Sequence, residues 1–428
     1  MTIKNKHLGQ MKNLKVFLII TVFLIVAHPK FVIAQSLIKN GTWRGVLTLS
    51  EKKNEIILPF NFNVVNIKNQ TLIEIINAEE KIKVDEVTYQ NDSVFIKMPV
   101  FDSEFRLKMK NDTLVGNWIN HARTNKNSIP FEAYYNNKTR FITSKPAGVN
   151  FAGKYEVTFN PGKEDEYKAI GVFKQNNNKL TGTFLTETGD YRFLEGVVQG
   201  NNMALSCFDG SHAFLFFANS SKQKNLADSL SGEVFYGISG KESWTAVRNE
   251  KFELKNPESI TYLKNPNEKI YFTFKNTNVQ NVSLSDEKFK GKPVIIQLMG
   301  SWCPNCMDET AYLAKVYKQY QPKGLEIIAL AYERTSDPEK AKQNVLRLKN
   351  KYQAEYEFLI TGLTGKDKAA ESLPFFNSIS AFPTTIILDR NHKVVSIYTG
   401  FNGPATGKAH EVYKKKTENL IQQLLLKK

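Results

Sequence analysis

Val294-Ile295-Ile296-Gln297-Leu298-Met299-Gly300-Ser301-Trp302-Cys303-Pro304-Asn305-Cys306 runs an apolar stretch, broken only by Gln297, into two cysteines separated by two residues. After it, Leu313, Val316, Tyr317 and Tyr320 recur at i, i+3, i+4 and i+7, which predicts an amphipathic helix over 308–320 packed on a sheet. Pro304 suits the first turn of that helix, where its missing N–H costs nothing. A sulfur at the junction meets unpaired backbone N–H groups and the positive end of the helix dipole, both of which stabilise a thiolate. The pattern therefore reads as a nucleophile with a resolving partner one turn behind it.

Two cysteines at this spacing also suit zinc, but structural zinc takes four Cys or His ligands. Cys207 is the only other cysteine, and it lies far from any second close pair. The strand before the motif and the helix after it decide for redox chemistry, so no metal is expected. In Met203-Ala204-Leu205-Ser206-Cys207-Phe208, alternation puts Cys207 on one face with Met203 and Leu205, the reading of a buried apolar residue. The six histidines show no ligand spacing, and there is no glycine-rich phosphate loop or nucleophile elbow, so no cofactor is expected either.

Around the motif, from 269 to 428, strands alternate with helices, the mark of an α/β domain. Strands are predicted over 294–299, 325–332, 358–363, 384–388 and 393–398. Helices are predicted over 338–352, with Ala341, Val345, Leu348 and Tyr352 inward, over 366–372, and over 407–426, burying Val412, Leu420, Ile421 and Leu424. Residues 37–248 read otherwise, as short alternating runs broken by Asn, Gly, Asp and Lys. This half is all-β and duplicated. Gly41-Thr42-Trp43-Arg44 matches Gly153-Lys154-Tyr155-Glu156, and Phe101-Asp102-Ser103 with Phe105 matches Phe208-Asp209-Gly210 with Phe214. Further on, Asp112-Thr113-Leu114-Val115-Gly116 matches Asp228-Ser229-Leu230-Ser231-Gly232, and Pro130-Phe131-Glu132-Ala133 matches Ser243-Trp244-Thr245-Ala246. Two tandem antiparallel modules, sandwich-like or barrel-like, are expected over 35–145 and 146–250, with a linker over 251–268.

A chain of 428 residues exceeds what one hydrophobic core usually supports, in keeping with this division. At its start Lys4, Lys6, Lys12 and Lys15 precede an apolar run over 16–27, and Val32-Ile33-Ala34 ends in a small residue. This is the pattern of a signal peptide over 1–34 cleaved after Ala34, since the run is well short of the roughly 20 residues a spanning helix needs. Its removal takes five lysines and lowers the formal net charge from +16 to +11. The remaining lysines are scattered among asparagines, a solvated surface and not a nucleic-acid stripe. Three cysteines cannot form a disulfide scaffold; they are a redox pair plus one. The mature protein is expected in the periplasm or cell envelope, either free or membrane-associated, a retained anchor being the alternative to cleavage.

Residues 265–428 resemble the thioredoxin superfamily, more narrowly the exported TlpA-like thiol-disulfide reductases. The resemblance rests on Gly291-Lys292-Pro293-Val294, Trp302-Cys303-Pro304-Asn305-Cys306, Glu309 and Phe382-Pro383-Thr384. It implies a thioredoxin fold with an extra β-hairpin at its start, Cys303 as exposed nucleophile and Cys306 as buried resolving thiol. It also implies a cis Pro383 that turns the backbone of Phe382 toward Cys303; from the residues alone, an edge-strand proline fits too. Trp302, Pro304, Asn305, Phe382 and Pro383 would form the docking surface for substrate, although Trp302 also suits ordinary packing. Glu309 would tune the cysteines and handle protons, or else be a solvated first-turn acid complementing the helix dipole. Thioredoxins bury an aspartate six residues before the first cysteine; here that position is Gln297, so protons would pass through Glu309 or water. Pro304-Asn305 replaces the Gly-Pro of thioredoxin and shifts the potential within a family range of about −270 to −120 mV.

The resemblance further implies a reductase of oxidised protein thiols, including those of cytochrome maturation, re-reduced by a membrane thiol carrier. A peroxidase of the same superfamily is disfavoured by Gly300, where the peroxidatic pattern has threonine. A binding or envelope-assembly protein whose redox domain has little activity is the rival from another class. The β half would select clients, anchor a partner, or cover the active site.

Overall fold

The computed structural model describes residues 37–427 apart from 51–54, 69, 124, 224–225 and 239; the expected signal segment lies outside the described residues. Alternation dictates the first half, as in Gln70–Asn77, where every second side chain is buried. Nine antiparallel strands run from Gly41–Thr48 to Ser128–Tyr135. The first pairs with the last, Trp43 opposite Tyr135, so the sheet curls, and its two edges are the consecutive strands Glu80–Val84 and Glu86–Gln90. In the second module, from Gly153–Phe159 to Gly240–Arg248, Tyr167–Asn176 pairs on both sides and eight strands close into a barrel. A two-residue strand, Gly189–Asp190, is added at its rim.

The duplication is carried in the register. Gly45 faces Ala133 as Val157 faces Ala246, and Leu114 faces Ala133 as Leu230 faces Ala246. Gly116 and Gly232 stand at matched places opposite Phe131 and Trp244. Neither has room for a side chain, since a Cβ would fall 2.0 Å from the Arg106 carbonyl oxygen and 2.1 Å from that of Phe217. The expected match of Phe105 to Phe214 slips by two residues: from the Leu107–Gly116 and Ala218–Gly232 pairs, Phe105 corresponds to Phe216. The turns before these strands, 98–102 and 209–212, differ in length.

The modules share a wall. On Asn202–Phe208, Met203, Leu205 and Cys207 point into the barrel, while Phe208 enters the core of the first sheet, 4.6 Å from Phe60 and 5.1 Å from Trp118. Buried Arg140 stitches the seam, donating to Ser206 Oγ at 2.9 Å and to the Ile76 carbonyl at 2.9 Å.

The C-terminal domain has seven strands, labelled here β1 (Thr273–Asn276), β2 (Asn281–Ser283), β3 (Val294–Met299), β4 (Glu326–Ala331), β5 (Glu357–Ile360), β6 (Thr384–Leu388) and β7 (Val394–Thr399). They lie in the order β2-β1-β5-β4-β3-β6-β7, parallel through β5-β4-β3 and antiparallel elsewhere. The helices are α1 (Pro304–Tyr320), α2 (Pro338–Tyr352), α3 (Gly365–Ser372) and α4 (Lys408–Leu426). This is a thioredoxin fold with an added hairpin, β1-β2, at its start. β3 is fully buried, as its near-continuous apolar run requires. On α4 the inward face is Tyr413, Thr417, Ile421 and Leu424; Val412, expected inside, is exposed, because it lies about 100° around the helix from that stripe. Tyr317 and Tyr352 are only half-buried. Within the segment read as a linker, Thr261 is buried against Thr399 and Leu263 bridges to Phe376. No helix among the described residues is long and apolar enough to cross a membrane.

Candidate active site

Cys303 is the N-cap of α1. Its sulfur accepts the Cys306 N–H at 3.3 Å and lies 3.4 Å from the carbonyl oxygen of Phe382, whose bond to Pro383 is cis. The apolar strand delivers Cys303 to a helix end, and an otherwise orphaned N–H there is satisfied by its sulfur. Cys306 is fully buried, and that burial, with the adjacent Cys303 sulfur, pushes its thiol well above the ordinary range. The two sulfurs therefore sit in unequal surroundings.

One turn further along α1, Glu309 is wholly buried, which removes the reading of a solvated first-turn acid. It receives hydrogen bonds from Gln297 Nε2 at 2.9 Å, Thr385 Oγ1 at 2.5 Å and Tyr413 Oη at 3.1 Å. Burial pushes its carboxyl up to about 7, and these three bonds hold it back from rising further. Gln297, at the position where thioredoxins place an aspartate, is thus a donor to the acid.

The loop leading into the motif is pinned from β4. Glu333 follows that strand and, though buried, takes hydrogen bonds from Ser301 N at 2.7 Å and Ser301 Oγ at 2.6 Å. Trp302 donates through Nε1 to the Tyr332 carbonyl at 3.0 Å, meets Phe382 edge-on, and carries the Arg334 guanidinium on its face at 3.7 Å. Glu333 and Arg334 escaped sequence reading. Their only signal was their place at the carboxyl end of a central strand, where α/β sheets set their sites.

Cys303 is 6% exposed, which corrects the expectation of an exposed nucleophile. The β half closes over the loop. Ser211 Oγ, in a barrel turn, donates to the Trp302 carbonyl at 3.1 Å, and Arg192 Nη1 donates to the Pro304 carbonyl at 3.2 Å. Gly189 backs onto half-buried Asn305 with a φ of +148° and a virtual Cβ 3.0 Å from that side chain, so only glycine fits there. Arg192, 2% exposed, also binds Asp308 of α1 and Glu80 of the first sheet, and lies 3.6 Å from Asp209. Asp190 takes the Gly403 N–H at 2.6 Å. Burial pushes Asp308 up to about 7 against the pull of Arg192. These groups come from all three parts of the chain and converge beside Pro304.

Residues 265–414 match the Redoxin family model. Among curated relatives, thiol-disulfide oxidoreductase ResA of Bacillus thuringiensis subsp. konkukian is 29% identical over 140 residues, covering 33% of this chain and 72% of that protein. ResA of Bacillus subtilis is 29% identical over 129 residues, covering 30% and 64%. Among solved structures, a secreted thiol-disulfide isomerase from Corynebacterium glutamicum matches at 17% identity and a TM-score of 0.31, over 41% of this chain and 98% of that one. The thioredoxin domain of a thiol-disulfide oxidoreductase from Bacteroides vulgatus matches at 25% identity and a TM-score of 0.26, over 34% and 92%. The sheet order, the helix-capping cysteine pair and the family-model match agree on a thioredoxin-fold domain in the C-terminal region of this chain that is similar to the Redoxin family.

Proposed function

We propose that this protein is an exported thiol-disulfide oxidoreductase that reduces protein disulfides through the Cys303/Cys306 couple. The observation that carries the reading is the capped sulfur: Cys303 Sγ accepts the N–H of Cys306 at 3.3 Å while Cys306 itself is sealed from solvent. The ResA relatives, named as thiol-disulfide oxidoreductases, support the same chemistry. In the proposed cycle the Cys303 thiolate attacks a substrate disulfide, forming a mixed disulfide and releasing one substrate thiolate. Cys306 gives its proton to Glu309 and attacks Cys303, so the second substrate sulfur leaves and two electrons pass to the substrate. Trp302, Pro304, Asn305, Phe382 and Pro383 frame the docking surface in this reading. Glu309 is buried and primed near 7, the range a general base needs at neutral pH.

The oxidised pair is then re-reduced by a membrane thiol carrier, because an exported protein works in an oxidising compartment. The β half serves as a cover that must lift for a protein substrate to reach Cys303. Equilibrating the protein with glutathione buffers tests the assignment. An intramolecular Cys303–Cys306 disulfide that titrates as a two-electron couple toward the reducing end of the family range of about −270 to −120 mV is expected. Absence of that disulfide under oxidising buffer removes the function, and a potential near −120 mV turns the protein into an oxidant.

A further inference from the structure

Resolution of the mixed disulfide requires a proton to leave Cys306, yet neither Cys306 nor Glu309 has any exposed surface. A proton passed from the thiol to the carboxylate is therefore still inside the protein. Among the described residues, three side chains donate hydrogen bonds to the carboxylate. Gln297 offers only an amide N–H, and its oxygen turns inward to Thr310 and Tyr356. The other two, Thr385 and Tyr413, are hydroxyls, able to accept one proton while donating another.

Both hydroxyl residues also line a groove of about 760 Å³ between β7, α4 and the segment around Tyr262 and Leu263. That groove is not lined by Trp302, Cys303 or the covering residues Arg192 and Ser211. We infer that Tyr413, with Thr385, is a proton-relaying and positioning residue that connects Glu309 to water in this groove, so that protons leave by a different face from the one where sulfurs exchange. The inference rests on the reductase reading given above. In the step, the Cys306 S–H bond breaks and the proton goes to Glu309. Its carboxylic proton moves to the Tyr413 or Thr385 oxygen, which releases its own proton to groove water without ionising. The Cys306 thiolate forms the new S–S bond with Cys303, and the substrate thiolate departs. No oxidant or further reductant enters.

The titratable groups facing Glu309 are Cys306 and Tyr312 on α1, Tyr356 before β5, Tyr398 on β7 and Tyr413 on α4, all thiol or phenol. The two hydroxyl donors are thus the adjustable contacts of this acid.

The test is the rate of mixed-disulfide resolution against pH, in full-length protein carrying Tyr413→Phe, Thr385→Val, both, or Thr385→Ser. The double variant is expected to resolve roughly tenfold or more slowly, a modest share of what proton transfer commonly contributes. Its pH midpoint should move upward, because two bonds that favour the carboxylate are gone. Thr385→Ser, which keeps the hydroxyl, should restore the parent profile. An unchanged rate and midpoint in the double variant, or a midpoint unmoved while stability alone falls, overturns the inference. Capture of the mixed disulfide at Cys303 in Cys306→Ala is the control: if that variant captures none, the reductase reading fails, a result distinct from normal capture with undisturbed resolution in the hydroxyl variants.

Discussion

At the scale of single residues, the informative contrast is between groups the spacing announces and groups it cannot. The placing of Cys303, Cys306 and Glu309 along one helix was legible from their spacing, whereas the burial of Glu309 was left open against a solvated first-turn acid. Thr385 and Tyr413, which donate hydrogen bonds to Glu309, are 76 and 104 residues away in sequence and left no local mark. Glu309 makes a direct pH prediction. Its folded value of about 7 exceeds the ordinary 4.5, so the folded chain holds that proton more tightly than the unfolded one. The linked stability is present in full below about pH 4.5 and is lost as pH rises through about 7. The loss is on the order of 3 kcal/mol. Glu309→Gln cannot ionise, so in denaturant titrations its stability relative to the parent should climb by about that amount between pH 4.5 and 8. A constant difference across that range contradicts the assignment.

At the scale of elements, periodicity located the β modules and the helices well, because burial on one face leaves a period of 2 or 3.6 in the sequence. It erred where two adjacent residues competed for one face: on α4 the apolar Val412 is outside and the amphipathic Tyr413 inside, since a phenol can reach Glu309 with its hydroxyl and pack with its ring. The duplicated modules make a paired prediction. Gly116 and Gly232 occupy matched positions against a neighbouring backbone carbonyl, so alanine at either site forces the strands apart. Gly116→Ala and Gly232→Ala should each cost about 1–3 kcal/mol, the usual range for overpacking, seen as a lower denaturant midpoint. A neutral result at either position contradicts the matched register. Within the loop before the cysteine pair, Ser301→Ala should cost about 1–3 kcal/mol by removing one of the hydrogen bonds to the buried Glu333 carboxylate.

At the scale of the whole molecule, the closure of the β half over the redox loop was the least legible feature. Its contacts join residues roughly a hundred positions apart, and nothing local marks Arg192 as the cation that Glu80, Asp209 and Asp308 surround. Removing one partner of a buried ion cluster typically costs about 3–5 kcal/mol, and here part of that cost falls on the closed arrangement. Arg192→Gln should therefore raise the alkylation rate of reduced Cys303 by about tenfold or more, with Ser211→Ala giving a smaller rise from the loss of one hydrogen bond. Equal rates in parent and variants, with folding intact by circular dichroism, mean that the β half does not restrict access.

The proposed cycle needs two unequal sulfurs, Cys303 attacking and Cys306 resolving. Cys306→Ala in the full chain, exposed to an oxidised protein substrate and digested for mass spectrometry, tests it most directly. A stable mixed disulfide at Cys303, absent from the parent and from Cys303→Ala, is expected. Capture through Cys207, or no capture at all, contradicts it.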